Sequence, residues 1–128
     1  MIFHKDLNFP KEHDKALDIY ASIISARQKS KSLIWSNHAK TRLLERNADI
    51  KEFYAFYNDI EFLKDNIIEY TLECGEIEKA LFRFSYNRET DCIISLSKWG
   101  KIVTIYFNDT GDNHKTLNKK VYQNAVTC

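Results

Sequence analysis

Glycine and proline are scarce in this 128-residue chain, which has three of the first and one of the second. Collagen-like and Pro/Gly-rich disordered classes are thereby excluded, and Gly75, Gly100 and Pro10 become informative punctuation. The three cysteines, Cys74, Cys92 and Cys128, are an odd number without C-x-x-C spacing. They argue for a reducing compartment and against a disulfide framework or a zinc site. No apolar run approaches the roughly 18–20 residues that a membrane span needs. Charges already stand among Met1 to Asn8, where a secretory leader would begin its apolar core. A cytoplasmic protein with no membrane partner is the expectation. An excess of one charge is missing too: nineteen Lys plus Arg against eighteen Asp plus Glu leave a formal +1. No whole-molecule field would therefore draw the chain onto nucleic acid, and any RNA site must be a local basic patch.

What is present is enough apolar material for a packed interior, with 44% hydrophobic and 13% aromatic residues. The length suits one domain over residues 1–128, since domains commonly run to about 100–150 residues. From Pro10 to about Ala26, Ala16, Ile19, Tyr20, Ile23, Ile24 and Arg27 recur at helical spacing, and the polar run Gln28 to Ser32 ends this segment. Leu33, Ile34 and Trp35 form an apolar lead-in, with Trp35 suited to a hydrophobic staple. Ser36 then caps a second helix, Asn37 to about Arg46, that buries Ala39 and Leu43 with Leu44 beside them. Ile50, Phe53, Tyr54 and Tyr57 predict a third helix from Asp49.

The pattern then turns extended. Ile67 to Glu73, Ala80 to Tyr86, Cys92 to Lys98 and Ile102 to Phe107 are β-branched or aromatic runs, punctuated at hairpin spacing by Gly75, Asn87 to Asp91 and Trp99-Gly100. A helix or turn over Thr116 to Tyr122 ends the chain's ordered pattern. The predicted class is α+β: N-terminal helices packed on a four-stranded antiparallel sheet, with residues 1–33 a helical elaboration and a short helix or turn at the C-terminus. Alternation sets Arg83, Thr104, Tyr106 and Asn108 on the face away from the helices, which is expected to be open to a substrate.

Chemistry concentrates in Ser36 to Arg46. His38, Arg42 and either Glu45 or Arg46 sit three or four residues apart and share one helical face. His38 falls in the first turn after the cap, where the helix dipole attracts a phosphate, an arrangement that suits proton transfer next to an anion. The same spacing also serves an ordinary solvated helix whose Arg42 and Arg46 pair with Glu45 or Glu52. His4, His13, His38 and His114 lack paired carboxylates at ligand spacing, so neither a metal nor another cofactor is expected.

The pattern S-x-H-x-x-x-R-x-x-x-R from Ser36 to Arg46, followed closely by Ile50, resembles the signature of phage RegB-type endoribonucleases. It is similar too to a bacterial and phage domain family carrying H-A-x-x-R-x-x-x-R. Lys98 to Asn108 and then Asp112 to Tyr122 resemble the C-terminal end of bacterial RelE-type ribonuclease toxins, with Asn118 where Asp is usual. The two likenesses cover about Trp35 to Arg46 and Ala80 to Tyr122 and leave Met1 to Leu33 unexplained. They imply the compact fold of the barnase–EndoU–colicin–RelE group, and cleavage of single-stranded or ribosome-associated RNA by its own 2′-hydroxyl without a metal. The RNA would be mRNA or tRNA, and a host or antitoxin protein is a further expected partner.

On that resemblance, His38 is the principal acid/base, Arg42 and Arg83 clamp the phosphate, and His114 is the second acid/base candidate. Arg46, Lys98, Lys101, Lys115, Thr116 and Tyr122 are expected at the RNA, although Thr116 also suits a helix cap and lysines flanking hairpins also protect sheet edges. Trp99, Tyr86 and Tyr106 either stack an unpaired base or cover the core. The rival from another class is a non-catalytic phage or mobile-element protein that uses such a fold to bind a host protein or the ribosome. An antitoxin is a weaker alternative, because no helix-turn-helix pattern is apparent.

Overall fold

The computed structural model describes residues 1–46 and 59–111. The expected hairpin series is there: β3 (Ile67–Glu73), β4 (Glu76–Ser85), β5 (Thr90–Ser97) and β6 (Lys101–Asp109), each antiparallel to the next. Two further strands extend it. β1 (Ile2–His4) pairs antiparallel with β3, and β2 (Ile34–Trp35) pairs parallel with β6, in the order β1-β3-β4-β5-β6-β2. The sheet is therefore mixed and six-stranded, which corrects the four antiparallel strands of the sequence reading. Strands of three and two residues carry no readable alternation, and both gain their hydrogen bonds only from partners far along the chain. Their shortness limits the unpaired edge that the sheet offers to other chains. Residues 1–33 are accordingly not purely helical, since β1 forms one edge of the sheet.

Helix α1 (Asp14–Lys29) begins past Pro10, after a 3-10 turn over Lys11–His13. Its buried stripe is Leu17, Tyr20, Ala21, Ile24 and Gln28, one helical face at i, i+3, i+4, i+7 and i+11. The Tyr20 hydroxyl donates to the Leu96 carbonyl at 2.5 Å, and burial pushes its pKa up. Ala16, Ile19 and Ile23 form a second stripe beside the first, and Ile19 remains 52% exposed. Helix α2 (Asn37–Glu45) buries Ala39 and Leu43 as expected and leaves Leu44 in solvent. Helix α3 (Ile60–Asp65) was not anticipated. Asp59 caps it by accepting from the backbone of Glu61 at 3.0 Å, Leu63 is its buried anchor, and Lys64 pairs with Asp18 of α1. The expected helix from Asp49 and the expected element over Thr116 to Tyr122 lie outside the described residues.

Among the described residues, α1, α2 and α3 send their buried apolar residues into one cluster with Phe82, Phe84, Ile94, Ile102 and Ile105 of the sheet. The face turned away from them is not the bare polar platform that alternation suggests. There a bulge at Ile68 sets Ile68 with Leu81 and Ile93 in a second, smaller buried cluster, against which Tyr106 packs. Cys92 is a buried free thiol, its pKa raised by burial, whereas Cys74 is disulfide-bonded and so not the thiol expected. Among the described residues, no helix is long and apolar enough to cross a membrane.

Candidate active site

Ser36 determines where α2 begins. Its backbone is extended (φ −65°, ψ 158°), its Oγ accepts from the Ala39 N–H at 3.0 Å, and the same hydroxyl donates to the Val103 carbonyl at 2.7 Å. The Ser36 N–H also donates to the Ile102 carbonyl at 3.0 Å. The cap therefore serves two purposes: it satisfies an N-terminal amide of the helix and fixes that helix end to β6, the strand next to the sheet edge. A serine cap alone is worth about 1 kcal/mol.

This anchoring presents His38, exposed, in the first turn of α2, with Arg42 one turn on along the same side. Residues at i and i+4 have Cβ atoms about 5–6 Å apart, close enough for an imidazole and a guanidinium to reach one phosphodiester. Arg42 touches Glu45 at 3.7 Å, with both side chains about half exposed, and a pair so long and wet holds the guanidinium only weakly. Arg46, expected at the RNA, instead lies over the Phe107 ring at 4.9 Å, and Phe107 meets Tyr86 edge-on. That cation–π contact holds the end of α2 to the sheet.

Arg83 is not brought to this helix. It alternates with Phe82 and Phe84, which face the helices, so its side chain emerges on the far side of the sheet. There Nε donates to Asp91 Oδ2 at 2.8 Å and Nη2 to the carbonyls of Asp109 and Thr110 at 3.2 and 3.4 Å. The expected convergence of His38, Arg42 and Arg83 on one phosphate thus does not occur, because the sheet separates Arg83 from the other two. Thr104, Tyr106 and Asn108 do share the far face with Arg83, as the β4–β5 and β5–β6 registers require.

Lys98 is likewise engaged, donating to Glu76 Oε2 at 2.9 Å and Glu78 Oε1 at 2.8 Å. Those bonds, first to Glu78 and then to Glu76, hold its pKa above the ordinary lysine value. Lys101 is exposed beside β2. Trp99 is 66% exposed with Lys98 over its ring at 5.0 Å, so it does not cover the core. His114, Lys115, Thr116 and Tyr122 lie outside the described residues. Among the described residues, no group of three or more His, Cys, Asp or Glu is placed to hold a metal ion.

Sequence reasoning missed the carbonyl of Val103 as the dock for Ser36 and Phe107 as the seat of Arg46. Neither carried a local signal, since each joins residues more than sixty positions apart. No protein-family model matches this chain, and neither does any curated protein or solved structure.

Proposed function

We propose that this chain is an endoribonuclease of the RelE/RegB kind that cleaves RNA, in the cytoplasm, by metal-independent 2′-hydroxyl transesterification from the exposed side of α2. The observation that carries this reading is the doubly anchored Ser36 cap, which holds His38 and Arg42 in solvent, one turn apart, on a helix end fixed to the sheet. The reaction needs a group that takes a proton from the 2′-hydroxyl and a cation for the charge gathering on the phosphate. His38 supplies the first and Arg42 the second, with the first-turn amides of α2 adding partial positive charge. His114 remains the second acid/base on the strength of the resemblance. Arg83 takes a supporting role within the sheet, because a phosphate would have to displace Asp91 to reach it. The helices gathered on one face of a largely antiparallel sheet are in keeping with the fold that the resemblance implies.

The test is to incubate the purified protein with total RNA, and separately with ribosomes, in EDTA and to map the RNA ends. New ends bearing 2′,3′-cyclic phosphate are expected with the wild type. His38→Ala should lower their rate by about 10²–10⁴-fold, the usual contribution of a general acid–base group. Cleavage by His38→Ala at the wild-type rate would remove the proposed site.

One observation favours the rival, a non-catalytic protein that binds a host protein or the ribosome. Arg83 and Lys98, two of the cations expected at RNA, are already committed to Asp91 and to Glu76 and Glu78. Full biological effect of His38→Ala in cells would establish that reading in place of the nuclease.

A further inference from the structure

The second apolar stripe of α1 lies at the margin of the core, where Ala16 packs against the buried cluster, and it borders a cleft. Ala16, Ile19 and Ile23 form one wall, and Ile77 and Trp99, from strand β4 and the β5–β6 turn, face them across a volume of about 350 Å³. That lies at the small end of the range for pockets that take organic ligands, which runs from about 300 to 1,000 Å³. Ile19 and Trp99, two of the largest exposed apolar side chains of the described residues, stand together at this one cleft.

Its polar fittings are unequal. Lys98 and Glu76 border the cleft, but Lys98 is bound to Glu76 and Glu78 and lies over Trp99, so these charges are spent on one another and brace the indole. Arg27 is different. Its Nε donates to the Lys98 carbonyl at 3.2 Å, and among the described residues no carboxylate pairs with it. Its stem passes so close to Gly100 that a Cβ there would come within 2.7 Å of Arg27 Cδ, which fixes the guanidinium at the end of the cleft. A guanidinium held by one backbone bond keeps donors over for a planar anion.

We propose that this cleft binds a small amphipathic carboxylate, its apolar body against Ile19, Ile23 and Trp99 and its carboxylate on Arg27. The apolar walls set the body of the ligand and the uncommitted guanidinium sets its head. A neutral compound of equal length would bury the same surface without the charge-assisted bond. The site is separate from α2, so it stands or falls independently of the ribonuclease reading.

Octanoate and 1-octanol, both below the concentration at which they self-associate, are the probes. Binding is measured by calorimetry and by the emission of Trp99, the exposed one of the two tryptophans, Trp35 being in the core. Octanoate should bind with a blue shift and roughly tenfold more tightly than octanol, the worth of one charge-assisted hydrogen bond. Arg27→Gln should erase that preference. Ile19→Glu, an exposed site where folding is not at risk, should set a like charge in the mouth and abolish octanoate binding. No heat with octanoate, equal affinity for the two probes, or a preference that survives Arg27→Gln or Ile19→Glu would each overturn the proposal.

Discussion

Arg83 and Asp91 pair at 2.8 Å across the β4–β5 ladder, on the sheet face turned away from the helices. Their side chains are only 16% and 13% exposed, so water screens the pair little, and apart from Arg83 the Asp91 carboxylate accepts from the Thr110 hydroxyl at 3.3 Å. A residue expected to clamp substrate phosphate is thereby a structural cation of the sheet.

Removing one partner should be costly. Arg83→Ala is expected to destabilise the domain by roughly 2–4 kcal/mol, since it leaves Asp91 charged, unpaired and mostly buried. Replacing both, Arg83→Met with Asp91→Leu, should cost much less than the sum of the single changes. Urea unfolding of the wild type, Arg83→Met, Asp91→Leu and the double variant measures this. Additive costs would show that the pair does not couple.

Loss of the cap should be felt in both stability and cleavage. Ser36→Ala removes the acceptor for Ala39 N–H and the donor to the Val103 carbonyl, and an expected loss of about 1–2 kcal/mol should be visible in thermal unfolding. Ser36→Asp restores the cap but sets a carboxylate against the Val103 carbonyl. It should therefore recover only part of that loss.

Arg42 should not tolerate lysine. Arg42→Lys is expected to slow RNA cleavage by about tenfold or more, because an ammonium cannot give the two-pronged contact of a guanidinium. Glu45→Gln serves as the control in the same assay. Its contact with Arg42 is long and exposed, so the rate should stay near that of the wild type.

Alkaline pH should weaken the fold through Tyr70. Burial, and after it the negative charge of Asp14, push the Tyr70 pKa up to about 12, while its hydroxyl lies 2.6 Å from His13 Nδ1. The unfolded chain loses that proton near pH 10, so the native state favours the neutral phenol. The stabilisation is complete below about pH 10 and is lost as pH rises through about 12. Tyr20, raised by burial as well, acts with the same sign. Unfolding midpoints measured against pH should fall over that window, and less steeply in Tyr70→Phe.

Two glycines with the same backbone conformation should respond differently to alanine. Gly75 has φ +79° with nothing within 4 Å of an added Cβ, so Gly75→Ala should cost about 1–2 kcal/mol from the left-handed backbone alone. Gly100 has φ +83° and Arg27 Cδ at 2.7 Å, so Gly100→Ala should cost more and disturb the Arg27 bond to the Lys98 carbonyl. Chemical denaturation compares the two directly.

The α2 segment was legible because its determinants are local. Ser36 precedes the first turn, Ala39 and Leu43 define the buried side, and His38 and Arg42 follow from the helical period. The four long strands were legible for a similar reason, as runs of β-branched and aromatic residues between turn signals. Alternation even set Arg83 opposite Phe82 and Phe84 correctly. What it could not supply was that α2 packs on the side of Phe82, which parts His38 from Arg83, or that Asp91 waits there to neutralise it.

Helical periodicity likewise admitted two apolar stripes on α1, one through Tyr20 and Ile24 and another through Ile19 and Ile23. Only contact with the sheet decided that the first is core and the second lines a cleft. The two edge strands, at three and two residues, exist through hydrogen bonds to β3 and β6 and through nothing in their own composition. By itself the sequence determined α1, α2 and the four long strands, because propensity, capping and period act over a few residues. Which faces meet was decided by the tertiary structure, because the free energy of burying one stripe depends on the surface that covers it.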